Sequence, residues 1–212
     1  MEQVSRTFKL NRDYLDTGCK IYQRTTVTFY PGLTVLVGCN GIGKTTLIHQ
    51  LQDLLKDKGI PTIHFDNLKD GGSNARRRAG FFGNMDFLIG SFISSEGENI
   101  HMNLYNFAGQ IARFVETNKD SDELWIFMDA VDSGFSVDNI IELKEDLCKP
   151  IIEANPDKNI YIIISANEYE LAHGEKCFDV LRGKYREFKS YEAYRSFILR
   201  TRQAKDKRVY KK

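Results

Sequence analysis

Apolar residues along this chain follow two patterns, short runs with little alternation and longer stretches at helical spacing. Leu33-Thr34-Val35-Leu36-Val37, Leu124 to Met128 and Ile160 to Ile164 are the runs. Such runs suit strands of a parallel sheet covered on both faces by helices. Leu47, Ile48, Leu51, Leu54 and Leu55 recur at helical spacing, and Gly59 and Pro61 supply the stop. Ile100, Leu104, Ala108, Ile111, Ala112 and Val115 mark a second helical face. Ile140, Leu143, Leu147 and Ile151 mark a third, in which Pro150 predicts a kink. Ser190 is placed to cap a last helix carrying Tyr194, Phe197 and Ile198. Residues 4–10 and 21–30 alternate imperfectly and read as two β segments ahead of the Pro31-Gly32 turn. A strand over 60–65, an irregular loop over 66–80 and a small hairpin turning at Arg182-Gly183 complete the reading. The order predicts an α/β fold with a largely parallel core sheet and an N-terminal antiparallel β segment.

The first run and the first helix enclose Gly38-Cys39-Asn40-Gly41-Ile42-Gly43-Lys44-Thr45-Thr46, which satisfies G-x-x-x-x-G-K-[ST] at every fixed position. Glycines let successive backbone N–H groups turn inward around a phosphate, and a helix N-terminus adds roughly half a positive charge. Lys44 then reaches the terminal phosphates and the Thr45 hydroxyl ligates Mg²⁺. The expectation is a site for a nucleoside triphosphate and Mg²⁺. Asp129, closing the second apolar run, is the carboxylate expected opposite Thr45 on the metal. Lys44 and Asp129 are therefore the expected catalytic pair, and Thr45 and Asp129 the expected metal ligands.

With 212 residues and 42% hydrophobic content the chain suits one domain with its own core. No apolar run approaches a membrane span and the N-terminus lacks a signal-peptide core. Cys19, Cys39, Cys148 and Cys177 are scattered without a C-x-x-C pair, which argues against zinc and makes the cytoplasm the expected compartment. The four histidines show no metal-ligand spacing. The net charge of +1 hides an asymmetry: residues 195–212 carry +7 and the remainder −6. The expected division is a domain over 1–199 and a basic, flexible tail over 200–212. A solvated helix end with a disordered terminus is the favoured reading of such a tail, and docking on DNA by counterion release is the alternative.

The motif loop, with Asn40 and Gly41 in its interior, resembles the P-loop of ABC-type ATPases. Ser95-Glu96-Gly97-Glu98 resembles their signature motif in its S-x-G-[QE] form, and Met128 to Ser136 their acid strand and D-loop. Ile163-Ile164-Ser165-Ala166-Asn167 resembles the strand that ends at their switch histidine. The set is most similar to the soluble RecF- and SMC-like branch and to short ATP-binding proteins of phages and mobile elements. The resemblance implies a P-loop NTPase fold with a reduced helical subdomain and an ATP-dependent homodimer. Each ATP would lie between Gly38, Asn40, Gly41, Ile42, Gly43, Lys44, Thr45 and Thr46 of one copy and Ser95, Gly97 and Glu98 of the other. It further implies a switch role in DNA replication, recombination or repair.

Departures from the family pattern shape the expected activity. Ala130 stands where a catalytic Glu is usual, and Asn167 where the switch His is usual. Losing a positioned base forfeits roughly 10²–10⁴ in rate, so slow turnover is expected. Asp132 and Glu168 are the acids left to replace it, both expected as solvated loop residues. Asn84 is the candidate for the missing metal-contacting Gln; Tyr14 and Tyr22 are the aromatics available to adenine, with packing the favoured role for each. The P-loop also resembles the opening of nucleotide kinases, with Arg76-Arg77-Arg78 as a phosphate clamp, but that leaves residues 95–98 and 129–136 unexplained. A transporter subunit is disfavoured because only about fifty residues separate Lys44 from Ser95.

Overall fold

The unbroken apolar runs become neighbouring strands of one sheet. A computed structural model of the chain describes residues 4–15, 22–66, 96–132, 135–165 and 167–209, with backbone alone in 96–105 and 208–209. Its strands are β1 (Arg6–Lys9), β2 (Thr26–Phe29), β3 (Gly32–Val37), β4 (Thr62–Asp66), β5 (Glu123–Asp129), β6 (Asn159–Ser165), β7 (Lys176–Asp179) and β8 (Lys184–Arg186). Six of them form a sheet in the order β4-β5-β6-β3-β7-β8, parallel throughout except for β8. The described helices are α1 (Lys44–Lys56), α2 (Glu96–Thr117), α3 (Val137–Glu142), α4 (Lys149–Glu153), α5 (Tyr169–Ala172) and α6 (Tyr191–Val209).

Alternation along each central strand divides the core in two. Val35, Val37, Ile126, Met128, Ile162 and Ile164 pack with Phe107 and Ile111 of α2 and Phe197 of α6. Leu36, Trp125, Phe127, Tyr161 and Ile163 pack with Leu47, Ile48, Leu51 and Leu55 of α1. Both faces are dry, which is why the strands read as continuous apolar runs. β1 and β2 pair antiparallel in a separate sheet, as residues 4–10 and 21–30 predicted. That sheet sits on the α1 side, with Phe8 and Phe29 edge-on to Trp125 at 5.4 and 6.0 Å. Trp125 in turn stacks on Tyr161 at 4.1 Å, nearly parallel. The result is a mixed α/β architecture with a largely parallel six-stranded sheet and a separate antiparallel pair.

The kink expected at Pro150 takes the form of a widened turn. Between α3 and α4 the helix is π-wound over Leu143–Cys148, with the Lys149 N–H bonding five residues back to the Lys144 carbonyl. Proline lacks an N–H and its ring clashes with the carbonyl four residues earlier, so a wider register just before it relieves both problems. Lys144 is thereby buried. Its ammonium donates to the Glu170 and His173 carbonyls at 3.2 and 2.8 Å and pairs with Glu175 at 3.2 Å. Those acceptors tie down α5 and the turn that follows it.

The expected boundary between residues 199 and 200 falls inside α6. Residues 200–209 are helical because Thr201 extends the buried face of Tyr194 and Phe197 by one further turn. The Ser190 hydroxyl accepts the Ala193 N–H at 3.3 Å, the predicted cap. The irregular loop beyond Asp66, Arg76 to Arg78, Asn84 and Ser95 lie outside the described residues. Among the described residues no helix is long and apolar enough to cross a membrane.

Candidate functional site

The motif loop leaves the C-terminal end of β3 through a backbone shape that only glycine tolerates. Gly38 has φ +146°, and a Cβ there would stand 2.8 Å from the Ile42 side chain. Ile42 and Cys39 are buried, and the Ile42 N–H returns to the Cys39 carbonyl at 3.1 Å, so the loop is pinned from inside. Asn40, Gly41 and Thr45 face solvent. Gly43 is the N-cap of α1 and offers no side-chain cap, while the Leu47 N–H is the donor to its carbonyl. The amides of the first turn therefore remain for an anion, with the helix dipole behind them.

Lys44 is buried at 8% exposure, and its ammonium donates to the Gly38 carbonyl and to Asn167 Oδ1, each at 2.9 Å. Burial pushes its pKa below the ordinary value, against the pull of Asp132 and, further down, Cys39 and Asp129. An un-neutralised cation held this way is poised to exchange neutral acceptors for phosphate oxygens.

Sheet order explains how Asn167 arrives. β6 lies between β3 and β5, so its C-terminal end delivers Ser165 and Asn167 into the space between Lys44 and Asp129. Ser165 accepts the Ala130 N–H at 2.9 Å and donates to Asp129 Oδ1. Ala130 takes φ +54°, uncommon for a residue with a Cβ, so the chain turns sharply just past the carboxylate. Asp132 departs from expectation. It is buried at 5% exposure, where a solvated loop acid was anticipated. One of its oxygens accepts the Asn167 and Glu168 N–H groups, the latter at 2.8 Å. Its other oxygen, Oδ1, is buried without a hydrogen-bond partner. Glu168 is exposed, at the N-cap of α5. Tyr194 of α6 donates to the Asn167 carbonyl at 2.8 Å, fixing Asn167 from the far side.

The donor set fits Mg²⁺. Asp129 is oriented by Ser165, and Thr45 offers a hydroxyl from the first turn of α1. Among the described residues no three His, Cys, Asp or Glu gather as a metal cage. One carboxylate and one hydroxyl, completed by phosphate oxygens and water, is the kind of site that Mg²⁺ takes. Tyr22 is a core residue: it is 3% exposed, packed with Phe8 and Phe29, and burial pushes its hydroxyl pKa up. Tyr14 donates to Asp53, nine residues along α1 from Lys44 or roughly 13 Å of helix. Gly97 and Glu98 lie in the first turn of α2.

Four residues that sequence reasoning passed over belong to this site. Ser165 had a signal, a polar residue ending an apolar strand as Asp129 does. Tyr194 had been read only as part of the apolar face of the last helix. Thr201, whose hydroxyl accepts the Cys39 N–H at 3.0 Å, and Lys205, whose ammonium donates to the Asn40 carbonyl at 3.0 Å, had none. Each lies more than 160 residues from its partner.

No family profile matches the sequence. No curated protein matches it either. Among solved structures, the chain is similar to a KaiC-like protein of the archaeon Pyrococcus horikoshii, with 18% identity and a TM-score of 0.29. The likeness covers 65% of this chain and 64% of that one, and at this score it adds no weight to the geometry above.

Proposed function

We propose that this chain is an ABC-type ATP-binding protein that holds Mg-ATP on its P-loop and turns it over slowly. The observation that carries the reading is the convergence of Lys44, Asp129 and Asn167 at the ends of three adjacent strands, around a loop whose helix-start amides are open. Loop amides and Lys44 bind the phosphates, Thr45 and Asp129 take the metal, and Asn167 is released by Lys44 to meet the terminal phosphate. Slow turnover follows from Ala130, whose side chain has no proton acceptor and whose N–H is already bonded to Ser165. The order of motifs supports a sandwich dimer in which Ser95, Gly97 and Glu98 of a second copy close over the nucleotide. The exposed Arg195, Arg200, Arg202 and Lys207 of α6 support a DNA-binding role, tested by salt-dependent duplex binding that a variant lacking these charges loses.

The deciding experiment is titration of the full chain with Mg-ATP by calorimetry, beside a steady-state phosphate-release assay. Micromolar binding that Lys44→Ala weakens about 100-fold, with turnover below roughly 1 s⁻¹, is the expected result. Absence of binding by the unmodified chain would overturn the reading, and turnover well above that rate would overturn its slow-switch part.

A further inference from the structure

We infer that Lys205, on the C-terminal helix, is a ligand of the terminal phosphate of the bound triphosphate. The inference rests on the nucleotide reading above and adds a residue that the P-loop motif does not contain. α6 crosses the outside of the loop and touches it at two successive turns. At the first, the fully buried Thr201 uses its hydroxyl twice, accepting the Cys39 N–H at 3.0 Å and donating to the Ile198 carbonyl at 2.8 Å. That contact fixes helix against loop and removes the Cys39 amide from the phosphate cradle. At the second, the Lys205 ammonium donates to the Asn40 carbonyl at 3.0 Å and would stand 3.5 Å from a Cβ placed on Gly41.

The lysine is thus held at the exposed tip of the loop, half-buried, with a neutral carbonyl as its acceptor. Among the described residues no carboxylate lies within ion-pair distance of it, and the nearby Asp206 is taken by Arg202 at 3.5 Å. Two of its three N–H donors are left over. The helix-start amides of α1 would meet the inner phosphates, and Lys44 lies on the inner side of the loop, against Gly38. A phosphate held there would leave its side toward the loop tip to the Lys205 ammonium, which stands beside Asn40 and Gly41. A flexible four-carbon stem lets the ammonium swing from Asn40 to that phosphate while Thr201 keeps its helix in place.

The test is calorimetric titration of the full chain and of Lys205→Met, Lys205→Glu and Lys205→Arg with Mg-ATP and, separately, Mg-ADP. Expected are a loss of about tenfold in ATP affinity for Lys205→Met, a larger one for Lys205→Glu and near-normal binding for Lys205→Arg. ADP affinity should change less than twofold, and thermal melting of the nucleotide-free variants should match that of the unmodified chain. Equal weakening of ATP and ADP would make Lys205 a tether of the loop, and unchanged ATP affinity would leave it a surface lysine; either overturns the inference alone. If the unmodified chain binds neither nucleotide, the nucleotide reading fails first and takes the inference with it.

Discussion

Polar side chains that close apolar strands set the chemistry of this protein, and Ser165 is the least conspicuous of them. Its hydroxyl joins the Ala130 amide to the Asp129 carboxylate. Ser165→Ala removes both bonds and frees the carboxylate to rotate away from the metal. The expected outcome is about a tenfold loss in affinity for ATP measured with Mg²⁺ present and little change without it, since Lys44 and the loop amides are untouched. Titrating nucleotide in Mg²⁺ and in chelator separates the two. Buried tyrosines give a second expectation. Burial pushes Tyr161 up to about 12 and raises Tyr22 and Tyr194 as well, from an ordinary value of 10.0. An unfolded chain releases these protons near pH 10 while the folded chain keeps them, so U binds fewer protons than N and stability falls as pH rises. The melting temperature should be level below pH 9 and drop between pH 10 and 12. Tyr161→Phe should make that drop shallower, read by a thermal melt followed at each pH.

Elements show where sequence reasoning reaches and where it stops. Strands β3, β5 and β6 were legible because two-sided burial leaves an unbroken apolar signature, and α1 because its stripe is one face wide. The loop between β3 and α1 was legible because glycine stereochemistry fixes residue types at short spacing, and Asp129 stood out only as a polar residue closing an apolar strand. The reach of α6 was not. Its last two turns look like a charged tail, since Arg200, Arg202 and Lys207 outnumber its one buried polar contact, Thr201. Asp132 was misread for a related reason: two backbone amides that arrive from another strand make its burial tolerable, and local sequence does not encode them. Pro150 announced a distortion but not its register. That register has a consequence, because the π turn buries Lys144 onto three acceptors around α5. Lys144→Met leaves two carbonyls and the Glu175 carboxylate short of a donor. A loss of roughly 1–3 kcal/mol is expected, seen as a lower urea midpoint with unchanged slope. Faster amide exchange confined to 167–175 would identify α5 as the element that loosens.

For the molecule entire, the question is whether one copy completes the site. Asn40, Gly41 and Thr45 are exposed, so the phosphates bound there would keep one side open to water or to a second chain. A closed two-fold pairing lets the same surface serve twice, each copy lending the start of α2 to the other's nucleotide. The free energy for that pairing would come from contacts to a phosphate that hydrolysis removes, so association should track the triphosphate and not the diphosphate. Slow turnover would make that state long enough lived to weigh. Light scattering of the full chain should double its mass in Mg-ATP and return the single mass in Mg-ADP or without nucleotide. Lys44→Ala should stay single because it binds nothing. Ser95→Arg should stay single while still binding Mg-ATP, and this pair of outcomes separates the two faces of the site. A mass that stays single at saturating Mg-ATP would dismiss the sandwich and leave the P-loop chemistry standing, since the bonds from Lys44 to Gly38 and Asn167 and from Ser165 to Asp129 need no second copy.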